Sequence, residues 1–197
     1  MLLPHRSASG PALLRLVNAV TLRGSFYRAV AADRTGTGPA IAIVCLASLV
    51  RQSLTLSSSP RALRAWGLAI SVIALLAAIG WLVYGVFGYL LARLVSPRTP
   101  ELGSMLRCLG YAETVTTARL IAYAVDPGLY PLLHVVVLLW SLAAVFTAVR
   151  AAAAGSTARI ALIAVPIFVV QQGVLSIEHL VAFGAPIFDA PLDAQPA

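Results

Sequence analysis

Five long apolar stretches, separated by short polar segments, dominate the pattern of the chain. A helix needs about 20 predominantly apolar residues to cross the hydrocarbon core of a bilayer. The pattern therefore predicts five membrane spans, at residues 35–50, 65–92, 108–125, 127–149 and 160–177. The first span reaches Leu56 if Arg51 extends its charged head to the interface. The third contains Glu113 and Arg119 but is otherwise apolar. We expect an all-α, polytopic transmembrane helical bundle.

The segment before the first span has a different pattern. Between residues 11 and 32, apolar positions recur at roughly helical spacing and arginines interrupt them. This indicates an amphipathic helix that either lies in the membrane interface, with its arginines at lipid headgroups, or packs under the bundle. We expect three regions: a cytoplasmic segment at 1–34, a membrane domain at 35–180, and a disordered extracytoplasmic tail at 184–197, rich in proline and alanine.

Composition strengthens the membrane interpretation. Hydrophobic residues make up 60% of the 197 residues and charged residues 11%. A typical soluble domain carries about 25% charged residues, so this chain could not cover a water-exposed surface with its charges. The composition excludes an ordinary cytosolic globule and a nucleic-acid-binding domain. The bilayer itself is the expected partner, together with another membrane protein or a second copy of the chain.

The charge of the chain is best interpreted as a topology signal. Fourteen basic residues, all arginine, face seven acidic ones, for a net charge of +7. In the five-span arrangement, ten arginines fall on the side of the N-terminus and three on the other side. Because cytoplasmic loops carry the excess of basic residues, this predicts a multi-pass protein of the inner (plasma) membrane. Its N-terminus is expected in the cytoplasm and its C-terminus outside.

Charged residues in the third span and at its end are candidate functional groups, because charge at membrane depth is costly. Glu113, Arg119 and Asp126 are the residues concerned. Arg119 and Asp126 share a helix face, whereas Glu113 lies on another face and reaches either the interface or a translocation pathway. The residues motivate an alternative function, a small transporter or channel component.

A second group falls near the outer ends of the spans. It contains His134, Glu178 and His179, with Asp126 close by. The spacing of these residues matches no metal-ligand motif, so we predict no metal site and no cofactor. They would have to supply the chemistry of an intramembrane enzyme, the third hypothesis. The sequence contains neither a GxSxG nor an HExxH motif, so no residue is predicted to be catalytic.

Four other polar or aromatic positions have structural interpretations. Gln171 and Gln172 lie in the middle of the fifth span, where interhelical hydrogen bonding is the expected use. Trp81 and Tyr84 lie within the second span and are expected to pack between helices.

The order of these segments resembles bacterial members of the Yip family, the Ypt/Rab-interacting domain of five spans. Four stretches carry the resemblance: the pre-membrane segment 26–36, the pair Gly80-Trp81, the start of the third span at 105–112, and 140–142 with the loop after that span. The resemblance covers roughly residues 20 to 180. The family usually has a proline soon after the Gly-Tyr-Ala step, whereas here Glu113 and Thr114 follow, which leaves the third helix without a proline kink.

The resemblance implies an integral membrane protein with a cytoplasmic N-terminus. In eukaryotic relatives it implies interaction with small GTPases and vesicle traffic, a role that does not transfer to a bacterial cell without that machinery. Fold-level analogy is weak evidence for function. We therefore expect a non-enzymatic protein of Yip type, with a helix–helix interaction or membrane-organising role.

Overall fold

The computed structural model describes residues 12–53, 62–96, 100–118 and 130–184. These residues form helices and no β-strand, which confirms the predicted all-α class. Two short 3₁₀ helices, Arg34–Gly36 and Glu113–Thr117, accompany seven α-helices. The α-helices are α1 (Ala12–Val20), α2 (Gly24–Ala32), α3 (Thr37–Ser53), α4 (Ala62–Val95), α5 (Leu102–Ala112), α6 (Tyr130–Ala152) and α7 (Thr157–Gly184).

Three of the described helices are long and apolar enough to cross a membrane. They contain Ile70–Val95 in α4, Leu132–Ala152 in α6 and Thr157–Glu178 in α7, with mean hydropathies of 2.3, 2.4 and 2.2. These correspond to the second, fourth and fifth predicted spans. The first and third predicted spans correspond to α3, with 17 residues, and to α5, with 11 residues before the 3₁₀ helix. The count of five spans therefore stays a prediction.

Helix α5 forms the centre of the bundle. Every residue from Ser104 to Ala112 is buried, and burial continues through Thr116. Helices α2, α3, α4 and α6 pack around it. Helix α4 also packs along α7, and α6 packs on α7, so the long apolar helices flank this short central helix.

A glycine allows α5 to approach α3 closely. A Cβ atom added at Gly110 would lie 2.8 Å from the Cβ of Ala40 and 3.2 Å from its carbonyl oxygen. The obstacle is partly backbone, which cannot rotate away. Small residues allow two helices to approach in this way in membrane proteins. Gly110 belongs to the stretch 105–112 that carries part of the family resemblance.

The N-terminal helices are joined by a tight turn at Leu22, whose φ is 54°. The Arg23 N–H donates to the Asn18 carbonyl at 3.2 Å, and the Leu22 N–H donates to the Ala19 carbonyl at 3.1 Å. These two bonds form the Schellman motif that satisfies the last carbonyls of a helix. Leucine occupies the position where glycine is usual, so the turn is held by its surroundings.

Helix α2 packs into the bundle against α5 and α6, where Phe26, Tyr27 and Val30 are buried. Arg107 of α5, itself buried, donates from Nε to the Val30 carbonyl at 3.1 Å and from Nη2 to the Ala31 carbonyl at 2.6 Å. A guanidinium at the C-terminal end of a helix satisfies free carbonyls and favours the helix dipole. The contact is consistent with the packed-helix alternative for residues 24–32.

Helix α1 presents apolar side chains outward. Leu13, Leu14 and Val17 are 73%, 50% and 48% exposed. Trp140 of α6 fixes the end of the helix by donating its indole N–H to the Val20 carbonyl at 3.0 Å. An outward apolar face on a helix bound to the bundle is compatible with an interfacial location, which stays a prediction.

Asp33 caps the 3₁₀ helix that precedes α3, next to the predicted start of the membrane domain. Its carboxylate accepts hydrogen bonds from the Thr35 hydroxyl at 2.6 Å and the Thr35 amide at 3.0 Å. The Thr35 hydroxyl bond lowers the pKa of Asp33 from its ordinary value. The cap holds the 3₁₀ turn that leads directly into α3. The other predicted boundary, the disordered tail, lies outside the described residues apart from Gly184.

Candidate functional site

A buried polar cluster lies between the helices of the membrane domain, with Arg51 of α3 at its centre. Nη1 of Arg51 lies 3.1 Å from Oε2 of Glu113, and Nη2 lies 3.5 Å from Oε2 of Glu178. The side chains are 11%, 2% and 6% exposed in the order Arg51, Glu113 and Glu178. One guanidinium thus contacts two carboxyl groups that come from different parts of the chain.

Glu113 is the most heavily coordinated member of the cluster. Its Oε1 accepts a hydrogen bond from the Tyr84 hydroxyl at 2.7 Å and from Nε2 of Gln171 at 2.6 Å. Its Oε2 accepts from Arg51. Arg51 also donates to the Thr116 hydroxyl oxygen at 2.8 Å. The Glu113 carboxyl therefore connects α3, α4 and α7 to the 3₁₀ helix that follows α5.

Glu178 forms the second half of the cluster, near the end of the span in α7. Its Oε2 accepts a hydrogen bond from the Ser48 hydroxyl at 2.9 Å. Its Oε1 lies beside Gly80 of α4, where an added Cβ would be 3.3 Å away. Glu178 therefore binds α7 to α3 at a point where α4 passes closely.

The local sequence explains why Glu113 is presented to its partners at the start of a 3₁₀ helix. The hydroxyls of Thr114, Thr116 and Thr117 donate to the carbonyls three residues earlier, at 2.6, 2.7 and 2.6 Å. Threonine hydroxyls that bond nearby carbonyls compete with the α-helical pattern. The α-helix consequently ends at Ala112 although no proline follows. The helix of the third predicted span thus changes to 3₁₀ geometry at Glu113, in the absence of a proline.

The chemistry of the cluster is that of a structural ion-pair network. Charged groups at membrane depth are tolerated where they pair with one another or with polar groups. Removing one partner of a buried pair is costly, because the other is left as an uncompensated charge. The described part of the chain contains no group of three or more His, Cys, Asp or Glu side chains that could hold a metal ion.

The structure describes the surroundings of some of the six candidate site residues and not of the others. The structure brings Glu113 and Glu178 together on Arg51. His134 lies in the second turn of α6 and is partly exposed. His179 follows Glu178 in α7, but its side-chain surroundings are not described. Arg119 and Asp126 lie outside the described residues, so any role for them stays a prediction.

Sequence reasoning missed Ser48 and misjudged the roles of Arg51 and Tyr84. Arg51 was expected to reach the membrane interface, but it lies inside the bundle between two carboxyl groups. Tyr84 was expected to pack only, but it is also a hydrogen-bond donor. Trp81 likewise both packs and donates, to the Leu106 carbonyl at 3.0 Å. The interhelical hydrogen bond expected of Gln171 is confirmed.

Comparison with known proteins identifies the family of the chain. The family model for the Yip1 domain matches residues 17–177, from within α1 to the residue before Glu178. Neither a search of curated proteins nor a search of solved structures gave a significant match. The matched region includes Arg51, Glu113 and the three helices with the length and hydropathy of membrane spans. The chain belongs to the Yip1 domain family and is a multi-pass membrane protein.

Proposed function

We propose that this protein is non-enzymatic and acts through helix–helix contacts in the bilayer, with an interaction or membrane-organising role. The observation that supports the proposal is that polar groups pair inside the bundle, whereas apolar groups cover the outer faces of its long helices. The carboxyl groups of Glu113 and Glu178 bind Arg51 inside the bundle. The outer faces of the long helices are apolar, so contact with lipid or with other helices is the chemistry that they offer.

The apolar outer faces belong to α4, α6 and α7. Only 33%, 33% and 28% of the residues in their most hydropathic windows are buried within the chain. Large side chains point outward on all three helices, for example Leu75, Leu139 and Leu162, which are 61%, 63% and 61% exposed. An exposed apolar surface of this extent favours lipid contact and leaves room for a membrane-protein partner or a second copy.

The proposal includes the five-span topology in the inner (plasma) membrane, with a cytoplasmic N-terminus and an external C-terminus. It rests on the asymmetric distribution of arginine along the sequence. Single cysteines introduced at Ser9 and Ala194, in a background with Cys45 and Cys108 replaced by alanine, test it. A membrane-impermeant maleimide added to intact cells should label position 194 and leave position 9 unlabelled. Labelling of both positions or of neither contradicts an odd number of spans.

The transporter alternative depends on Glu113, Arg119 and Asp126. Glu113 is 2% exposed and has four side-chain partners on its carboxyl group, so it is committed to the packing of the bundle. No observation on the described residues favours a solute pathway. We therefore do not carry the alternative further.

Crosslinking in native membranes followed by purification in mild detergent tests the interaction role. We expect a reproducible adduct, either a dimer of this chain or a complex with one membrane protein, that persists when the protein is expressed near its native level. If only monomer is recovered, and reconstituted protein moves a solute across liposomes, the proposal is wrong.

A further inference from the structure

We infer that an apolar groove between α1 and α3 binds one anionic phospholipid, with an acyl chain in the groove and the phosphate at Arg15. This inference concerns a ligand of the protein; it does not depend on the proposed interaction role, but it uses the proposed orientation of the chain. It rests on the shape of the groove, on the hydrogen-bonding state of Arg15 and on the surroundings of the groove.

The groove has a volume of about 350 Å³ and an almost entirely apolar lining. Leu16 of α1 contributes to one wall, and Ala42, Ile43 and Leu46 of α3 contribute to the other. Small-molecule sites have volumes of roughly 300–1,000 Å³ and combine apolar walls with a few placed polar groups. The dimensions and lining suit a segment of hydrocarbon chain.

The polar groups of the groove are Arg15 and Tyr111. Nη1 of Arg15 donates to the Tyr111 hydroxyl oxygen at 3.5 Å, longer than an ordinary hydrogen bond. Nε of Arg15 is buried and has no hydrogen-bond partner. Among the described residues, no carboxylate lies within ion-pair distance of Arg15. The groove therefore contains a cation with unused donors.

A guanidinium with free donors is complementary to a phosphate. Its planar fork matches phosphate oxygens in two parallel hydrogen bonds, and a buried donor that lacks an acceptor costs free energy until one arrives. A free phosphate would satisfy Arg15 but would leave the apolar walls uncovered. A phospholipid satisfies both requirements with one molecule.

The surroundings place the groove where lipid is available. Leu13 and Val17 on α1 are 73% and 48% exposed, and Leu46 on α3 is 56% exposed. Apolar side chains thus flank the groove on both helices. Its α3 wall belongs to the first turns of the first predicted span. In the proposed orientation, these turns lie at the cytoplasmic leaflet, where anionic lipids attract basic side chains.

Native mass spectrometry of the delipidated protein tests the inference. The probes are dioleoyl phosphatidylglycerol and dioleoylglycerol, which share acyl chains, whereas only the first carries the anionic phosphate. We expect the wild type to retain phosphatidylglycerol about tenfold more tightly, a difference of the size expected for one charge-assisted hydrogen bond. Arg15→Gln should remove this preference, and Arg15→Lys, which keeps the charge but not the planar fork, should keep part of it.

Three further variants test whether lipid retention depends on the groove itself, and not on added side-chain bulk or on surface charge elsewhere. Ala42→Phe fills the groove at an exposed position and should weaken retention of both lipids, whereas Ala158→Phe, at an exposed position in α7, should not. Arg159→Gln removes the same charge from an exposed site and should leave the preference intact. Equal affinity of the wild type for both lipids, an unchanged preference in Arg15→Gln, or an equal loss in Arg159→Gln overturns the inference.

Discussion

Arg51 and Glu113 are 62 residues apart in the sequence, yet their side chains lie 3.1 Å apart inside the bundle. Glu178 reaches the same guanidinium from α7. Each of the two carboxyl groups also accepts a hydrogen bond from a hydroxyl on another helix, Tyr84 for Glu113 and Ser48 for Glu178. The polar cluster therefore specifies how α3, α4 and α7 are arranged around the 3₁₀ helix.

Replacing Arg51 by glutamine should strongly destabilise the protein. The substitution leaves two buried carboxyl groups without a cation, and breaking a buried pair in this way costs about 3–5 kcal/mol. Thermal unfolding in detergent, followed by circular dichroism, measures the change. A triple variant that also carries Glu113→Gln and Glu178→Gln should recover part of the loss, because it removes the unpaired carboxylates.

Arg34 provides the matched control for Arg51. It pairs with Glu101 at 3.4 Å, but the two side chains are 83% and 65% exposed. Exposed pairs contribute at most about 1 kcal/mol. If Arg34→Gln and Arg51→Gln lower the unfolding temperature equally, the cluster around Arg51 has no special structural role.

Replacing Tyr84 by phenylalanine tests a single hydrogen bond of the cluster. The change removes the hydroxyl that donates to Glu113 and keeps the ring that packs in the core. Interhelical hydrogen bonds in membranes are worth about 0.6–2 kcal/mol, and we expect a loss of this size. Tyr89→Phe, on the same helix, keeps the ring contact with Arg93 and should be neutral. An unfolding curve for Tyr84→Phe that coincides with that of Tyr89→Phe would contradict the assignment.

The difference between expected and observed roles of Arg51 shows what sequence can reveal here. Long apolar runs predicted α4, α6 and α7, because membrane spans are recognised from length and hydropathy alone. The partner of a buried charge depends on how helices far apart in the chain pack, and one sequence contains no such distances. The sequence identified Glu113 as a charge that is costly to place at membrane depth. It could not identify Tyr84 and Arg51 as the partners of the Glu113 carboxyl group.

Two further features of the fold could not be predicted from the sequence, one for a local reason and one because it depends on long-range packing. The end of α5 at Ala112 follows from threonine hydroxyls that bond to nearby carbonyls, a choice that Thr114 and Thr116 make only in their folded surroundings. The capping of α2 by Arg107 depends on a helix that lies 76 residues away in the chain. From the sequence alone, Arg107 is indistinguishable from the other arginines that indicate the topology.

Replacing Gly110 by alanine should separate α3 from α5. The added methyl group would collide with Ala40, whose backbone cannot move aside, and overpacking of this kind costs about 1–3 kcal/mol. Gly173→Ala is the control, because an added Cβ there meets nothing within 4 Å. Denaturant or thermal unfolding should show a loss for Gly110→Ala alone. Equal stability of the two variants would show that the close approach is not required.

Replacing Arg107 by glutamine should loosen the N-terminal helices while the bundle stays folded. The substitution removes charged donors to the Val30 and Ala31 carbonyls, a contribution of about 1.5–3 kcal/mol. Amide hydrogen exchange should then rise roughly tenfold or more across residues 24–32 and remain unchanged in α6 and α7. Arg150→Gln, at an exposed position, is the control. Unchanged exchange in α2 would show that Arg107 does not anchor it.

Photo-crosslinking in living membranes tests most directly the central claim that the outer helix faces make protein contacts. A photoreactive residue is placed at Leu75, Leu139 and Leu162, which point outward, and at Val145, which is 1% exposed. The account predicts protein–protein adducts of one reproducible mass from at least one outward position and none from position 145. Adducts to lipid alone at every outward position would contradict it.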